Sequence, residues 1–65
     1  MKITVNGTKQ ESAATTLDAL LDELGYGPAK VATAVNQSFV PAAMRPEHRL
    51  ADGDQIEIVA PRQGG

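Results

Sequence analysis

A two-layer α+β fold, with one helix packed on one face of a small sheet, is what this 65-residue sequence predicts. Three kinds of observation predict it. Short apolar/polar alternations at both ends of the chain read as half-buried strands. A single leucine stripe at helical spacing reads as one amphipathic helix. Tight-turn signals at Asn6-Gly7, Asn36-Gln37 and Asp52-Gly53-Asp54 divide what remains. A chain this short buries only about 60% of its unfolded surface and makes one domain at most. With Tyr26 and Phe39 the only aromatics, its core has to come from Leu, Ile, Val and Ala.

The elements follow in order. Met1, Ile3 and Val5 fall on one face and Lys2 and Thr4 on the other, the period of a half-buried strand. Asn6-Gly7 suits a type I′ turn, which needs positive φ at both central residues. Thr8 to Ser12 returns as a polar strand, fit for a sheet edge. Thr15 then reads as a helix N-cap with Asp18 three residues on. Leu17, Leu20, Leu21 and Leu24 form the apolar stripe, and Gly25-Tyr26-Gly27-Pro28 stops the helix. Val31 to Val35 and Ser38 to Val40 make a second hairpin around Asn36-Gln37, ended by Pro41. Residues 41–50, interrupted by Pro41 and Pro46, are expected to be irregular. Gln55 to Val59 is the final strand, with Ile56 and Ile58 on one face. The order is β-β-α-β-β-β. Residues 1–60 are expected to form the domain and residues 61–65 a flexible tail ending in Gly-Gly. Periodicity does not reveal how the first and last strands pair.

Composition removes several function classes. The net charge is −2 and the six Lys and Arg residues stand singly, so the clustered cations that displace counterions from phosphates are missing. No stretch approaches the ~20 apolar residues of a membrane span. Met1 to Gly7 reaches a turn before an apolar run develops, so no leader segment is expected and the cytoplasm is the expected compartment. The chain has no cysteine, which excludes disulfides, a thiolate nucleophile and Cys-ligated zinc. His48, the only histidine, has no orienting partner in the pattern and reads as a solvated loop residue. Asp52 and Asp54 lack the further spaced ligands of a calcium loop and read as turn formers. Neither a metal site nor a catalytic constellation is expected.

Two features do point to chemistry. A turn at Asn36-Gln37 sets Ala34 opposite Phe39 and Thr33 opposite Val40. One face of that hairpin then carries Ala32, Ala34 and Phe39, and the other Val31, Val35 and Val40. Both are apolar, yet one helix covers only one. The uncovered face is a partner-docking surface unless residues 41–50 fold over it.

The second feature is Gly64-Gly65. Glycine averages about 7% of residues, so two terminal glycines arise by chance in roughly 0.5% of chains. Extended, residues 62–65 would reach roughly 13 Å at ~3.3 Å per residue. Lacking Cβ atoms, the last two could thread a slot closed to any other residue. A carboxylate resists nucleophilic attack until adenylation by ATP makes it a mixed anhydride. A sulfur nucleophile can then displace AMP and leave a thiocarboxylate. Such a group delivers sulfur without any cysteine, so the missing Cys and the Gly-Gly end fit one mechanism.

The chain resembles the ThiS family, the sulfur carriers of thiamine biosynthesis. The resemblance rests on Thr16-Leu17 opening a leucine-rich helix, on Ala34-Val35-Asn36-Gln37 followed by Phe39-Val40-Pro41, on Asp52-Gly53-Asp54-Gln55-Ile56, and on Gly64-Gly65. It implies a ubiquitin-like β-grasp fold, a mixed sheet of about five strands with its first and last strands paired centrally. It implies a protein cosubstrate rather than an enzyme, monomeric when free and binding no cofactor itself. ATP would be used by a ubiquitin-activating-like adenylyltransferase that activates Gly65, and thiazole synthase would receive the sulfur. Arg62, Gln63 and Gly64 would thread the partner's channel. The family's docking surface, carried onto this sequence, falls on Val59 with Thr33 and Val35 as neighbours. Alternatives in the same class are the small subunit of molybdopterin synthase, which shares the Val-Asn and Asp-Gly-Asp elements but is typically longer, or another pathway's sulfur carrier. The alternative of a different class is a ligand- or RNA-binding β-grasp module, of the kind embedded in long translation-related chains.

Overall fold

The computed structural model describes residues 1–26 and 30–60, in which five strands, an α-helix and a 3-10 helix follow one another. Strand β1 (Lys2–Val5) turns at Asn6-Gly7 into β2 (Thr8–Glu11). Asn6 and Gly7 have φ of 50° and 84°, as a type I′ turn requires. The second hairpin, β3 (Ala32–Val35) and β4 (Ser38–Val40), turns the same way at Asn36 (φ 51°) and Gln37 (φ 71°). Its register sets Thr33 against Val40 and Ala34 against Phe39, as the sequence predicts.

Strand β5 (Gln55–Val59) joins the two hairpins, giving the sheet order β2-β1-β5-β3-β4. It runs parallel to β1 and antiparallel to β3. The last strand in sequence is therefore central, and polar β2 lies at an edge as expected. This mixed sheet with one α-helix on one side is the β-grasp arrangement.

Helix α1 (Leu17–Glu23) is capped by Thr16, whose Oγ1 accepts from the Ala19 N–H at 3.2 Å. The sequence favours Thr15 for that role, and long-range pairing displaces the cap by one residue. Thr16 bridges Arg49, the Thr15 carbonyl accepts from Leu50 N–H, and Leu17 N–H donates to the His48 carbonyl. Residues held extended by that bridge cannot be helical, so the first turn starts at Leu17. At the other end Gly25 (φ 88°) adopts the left-handed conformation. Tyr26 N–H donates to Leu21 O and Gly25 N–H to Asp22 O, the paired bonds of a Schellman cap. Gly27 and Pro28, also read as stop signals, lie outside the described residues.

Residues 41–50 depart from expectation. Ala42–Glu47 forms a 3-10 helix with Pro46 inside it, packed beside α1. A 3-10 turn begins with Met44 N–H donating to Pro41 O, so Pro41 initiates structure here where the sequence suggested a break. Leu50 is buried in the core. Ile3, Val5, Leu17, Leu20, Leu21, Val35, Val40, Ile56 and Ile58 complete that core with Ala14, while Leu24 is half-buried at its margin. Among the described residues, no helix is long and apolar enough to cross a membrane.

Candidate functional site: the open sheet face and the end of β5

The 3-10 helix packs on α1, its Arg45 reaches inward Thr33 and Leu50 is buried, so residues 41–50 lie on the helix side and, among the described residues, no element covers the other face. Alternation along β3 turns Thr33 and Val35 toward the helix side, at 1% and 5% exposure. Their place in the docking surface is therefore corrected: both are core. Thr33 is held there by two hydrogen bonds. Its hydroxyl donates to Val40 O at 2.8 Å and accepts from Arg45 Nε at 3.0 Å. Arg45, reaching over from the 3-10 helix, also donates through Nη2 to the Val31 carbonyl.

Val59 does lie on the open face, 63% exposed, and its cross-strand neighbour is Ala32. Ala34 and Phe39 pair beside it, Phe39 being 68% exposed. The apolar surface around Val59 is thus Ala32, Ala34 and Phe39. The sequence identified this set as one of the two apolar faces. What selects it is the register with β5, which sets Val35 and Thr33 beside buried Ile56 and Ile58 and leaves Ala32 and Ala34 beside Val59 and Glu57.

The same face changes character across the sheet. Glu57 interrupts the apolar half between Val59 and the start of β5. Beyond β5, Lys2, Thr4, Lys9 and Glu11 border a shallow depression with Gly53. A second depression, apolar and next to Val59, is bordered by Lys30, Val31 and Ala32. The face offers an apolar docking area at the end of β5 and a charged margin away from it.

Both flanks of β5 are tied down by asparagine amides from the two type I′ turns. At the exit, Asn6 Oδ1 accepts from Ile58 N–H at 2.8 Å and its Nδ2 donates to Ile58 O at 3.1 Å. At the start, Asn36 Oδ1 accepts from Gln55 N–H and its Nδ2 donates to Asp54 Oδ1, each at 3.0 Å. Sequence reasoning assigned Asn6 to a turn and missed this second use, for which its only signal was the choice of Asn.

The remaining candidates take structural roles. Asp52 Oδ1 accepts from Lys2 N–H and Asp54 Oδ2 from Ala51 N–H, so both aspartates bind backbone around Gly53 (φ 90°). His48 is half-buried and gives its carbonyl to Leu17. Among the described residues, no group of three His, Cys, Asp or Glu side chains could hold a metal ion. Arg62, Gln63, Gly64 and Gly65 lie outside the described residues, whose final member is Ala60.

Comparison with known proteins bears on this arrangement. The model of the ThiS family matches residues 3–65. The sulfur carrier protein ThiS of Escherichia coli is 36% identical over 66 aligned positions that cover all of both chains. A thiazole synthase from Paramagnetospirillum magneticum is 42% identical over all of this chain, which spans only 20% of that protein's length. The crystal structure of a thiamine biosynthesis protein (ThiS) from Geobacter metallireducens superposes with a TM-score of 0.85 at 25% identity, covering all of both chains.

Proposed function

The chain belongs to the ThiS family, and on that premise we propose that it is a sulfur carrier of thiamine biosynthesis working through the carboxylate of Gly65. The observation that carries this reading is the family match running through Gly64-Gly65, five residues past a strand that ends on an open apolar face. Similarity to a full-length carrier supports the role as a whole. The chain acts as a protein cosubstrate: its partners supply the catalysis.

The chemistry proceeds in two displacements. An oxygen of the Gly65 carboxylate attacks the α-phosphorus of ATP held by a ubiquitin-activating-like adenylyltransferase, and pyrophosphate leaves. A sulfur nucleophile, hydrosulfide in the simplest balance, then attacks the acyl carbon. AMP departs with the electron pair of the broken C–O bond, and the thioacid so formed gives up its proton to solvent, leaving the thiocarboxylate. What this chain contributes is presentation. Val59, Ala32, Ala34 and Phe39 dock on the partner, while Arg62, Gln63 and Gly64 reach its active site. Thiazole synthase is the proposed acceptor-bearing partner. Support comes from the Paramagnetospirillum thiazole synthase, in which a stretch resembling this chain occurs within the same polypeptide.

Intact-mass spectrometry tests the reading. Incubated with ATP, hydrosulfide and the adenylyltransferase of the pathway, the protein is expected to gain the mass difference between sulfur and oxygen. Deletion of Gly65 should abolish the gain without unfolding the domain, and Gly64→Val should suppress it by placing a branched side chain in a narrow channel. An unchanged mass for the intact protein would overturn the reading.

A further inference from the structure

β1 ends at Val5, which pairs with Ile56, yet β5 continues to Val59. The β1-side peptide groups of the last part of β5 would therefore face no strand. Buried backbone donors and acceptors need partners. The Asn6 amide supplies them: its backbone N–H bonds Ile56 O at 2.9 Å, and its side chain makes the next rung, both ways, with Ile58. A side-chain amide has the donor and acceptor of a peptide group, so it extends the parallel ladder after the main chain has turned away. On the opposite flank Val59 pairs with Ala32. Only Ala60 separates this doubly held segment from residue 61.

We infer that Asn6 is a positioning residue, its side-chain amide clamping the exit of β5 and thereby fixing the direction in which the chain leaves the domain toward Gly65. The inference rests on the terminal-carboxylate reading for its consequence, though not for its geometry. A partner that binds the open face at Val59 meets a strand whose exit is already held at Ile58. Without the clamp, the backbone freedom of the last strand residues must be lost on docking. The burden falls on binding, because the reacting carboxylate itself is unchanged.

Asn36 provides an internal control. It occupies the same turn position with the same positive φ, and its amide binds the other end of β5, away from the exit. Asn6→Gly and Asn36→Gly both retain the turn and both lose one amide clamp. In Asn6→Gly, exchange of the Ile58 amide hydrogen measured by NMR is expected to accelerate about fivefold relative to Asn36→Gly, the equivalent of one net hydrogen bond. In steady-state adenylation by the activating enzyme, Asn6→Gly should raise KM roughly three- to tenfold with kcat within about twofold of wild type. Asn36→Gly should leave KM unchanged. Equal Ile58 exchange in the two variants would overturn the clamp, and equal KM values would overturn the positioning role. A wild-type protein that is not adenylated at all would instead remove the terminal-carboxylate reading, and the exchange comparison would still decide the clamp.

Discussion

Val59→Asp isolates the docking face from the fold. Val59 is 63% exposed on an outward position of β5 and stands outside the core cluster, so its removal takes only a minor share of burial from the fold. Complete burial of a valine side chain is worth about 1.5–3 kcal/mol, and the exposed share leaves roughly 1–2 kcal/mol to be gained on docking. Loss of that gain alone corresponds to about five- to thirtyfold in Kd. The new carboxylate adds a desolvation cost within the interface and lies two residues along the same face from Glu57, so the upper end of the range is expected. Isothermal titration calorimetry against the adenylyltransferase and against thiazole synthase measures the loss. Chemical denaturation of the free variant should show a loss of no more than about 1 kcal/mol, the share of that burial already present in the free domain. Affinity unchanged toward both partners would refute the assignment of this face, and a large loss of stability would refute the claim that Val59 stands outside the core.

Three other perturbations test the fold that supports this face. Leu21→Ala, at a position only 3% exposed, should cost about 2–5 kcal/mol in denaturant unfolding, a large part of the stability of so small a domain. Gln37→Gly should raise stability by about 0.5–1 kcal/mol, because Gln37 carries a φ of 71° that glycine adopts without a Cβ clash; a lowered melting temperature would contradict this. Thr33→Val should cost about 1–3 kcal/mol by stripping partners from Val40 O and Arg45 Nε. In a double-mutant cycle with Arg45→Met, the coupling should be about 1 kcal/mol, and a value near zero would dissolve the pair.

What the sequence made legible is what short-range physics determines. Alternation in Met1–Val5 and Gln55–Val59, the leucine stripe of α1, and the turns at Asn6-Gly7 and Asn36-Gln37 all depend on neighbours within a few residues. The errors arise where distant segments meet. The cap moved from Thr15 to Thr16 because Arg49 and Leu50 pair there. Pro46 signalled a break, yet it is housed in a 3-10 helix packed on α1, and Leu50 beyond it became core. Thr33 and Val35 were carried into the docking surface as neighbours of Val59, but the register pairs Val59 with Ala32 and sets Thr33 and Val35 beside inward Ile58 and Ile56, a choice of side made only when the sheet meets the helix. The family resemblance carries Val59 onto the docking surface, and the inward burial of Ile56 and Ile58 leaves it on the open side.

The central position of β5 has a kinetic consequence. Each hairpin closes over a few residues, as with Thr33 and Val40, seven apart in sequence. The contact between Asn6 and Ile58 spans 52. At about 0.6 kcal/mol per doubling of loop length, that difference costs about 1.7 kcal/mol more closure entropy, roughly an eighteenfold handicap. The hairpins are expected to form first and β5 to insert between them last, the order that a high contact order imposes. Val59 meets Ala32 only in that final step, so a chain still on its way to the native state lacks the docking face. An activating enzyme that reads this pair therefore discriminates finished from unfinished molecules. On the proposed carrier chemistry, activation would then be confined to chains in which β5 has found its slot.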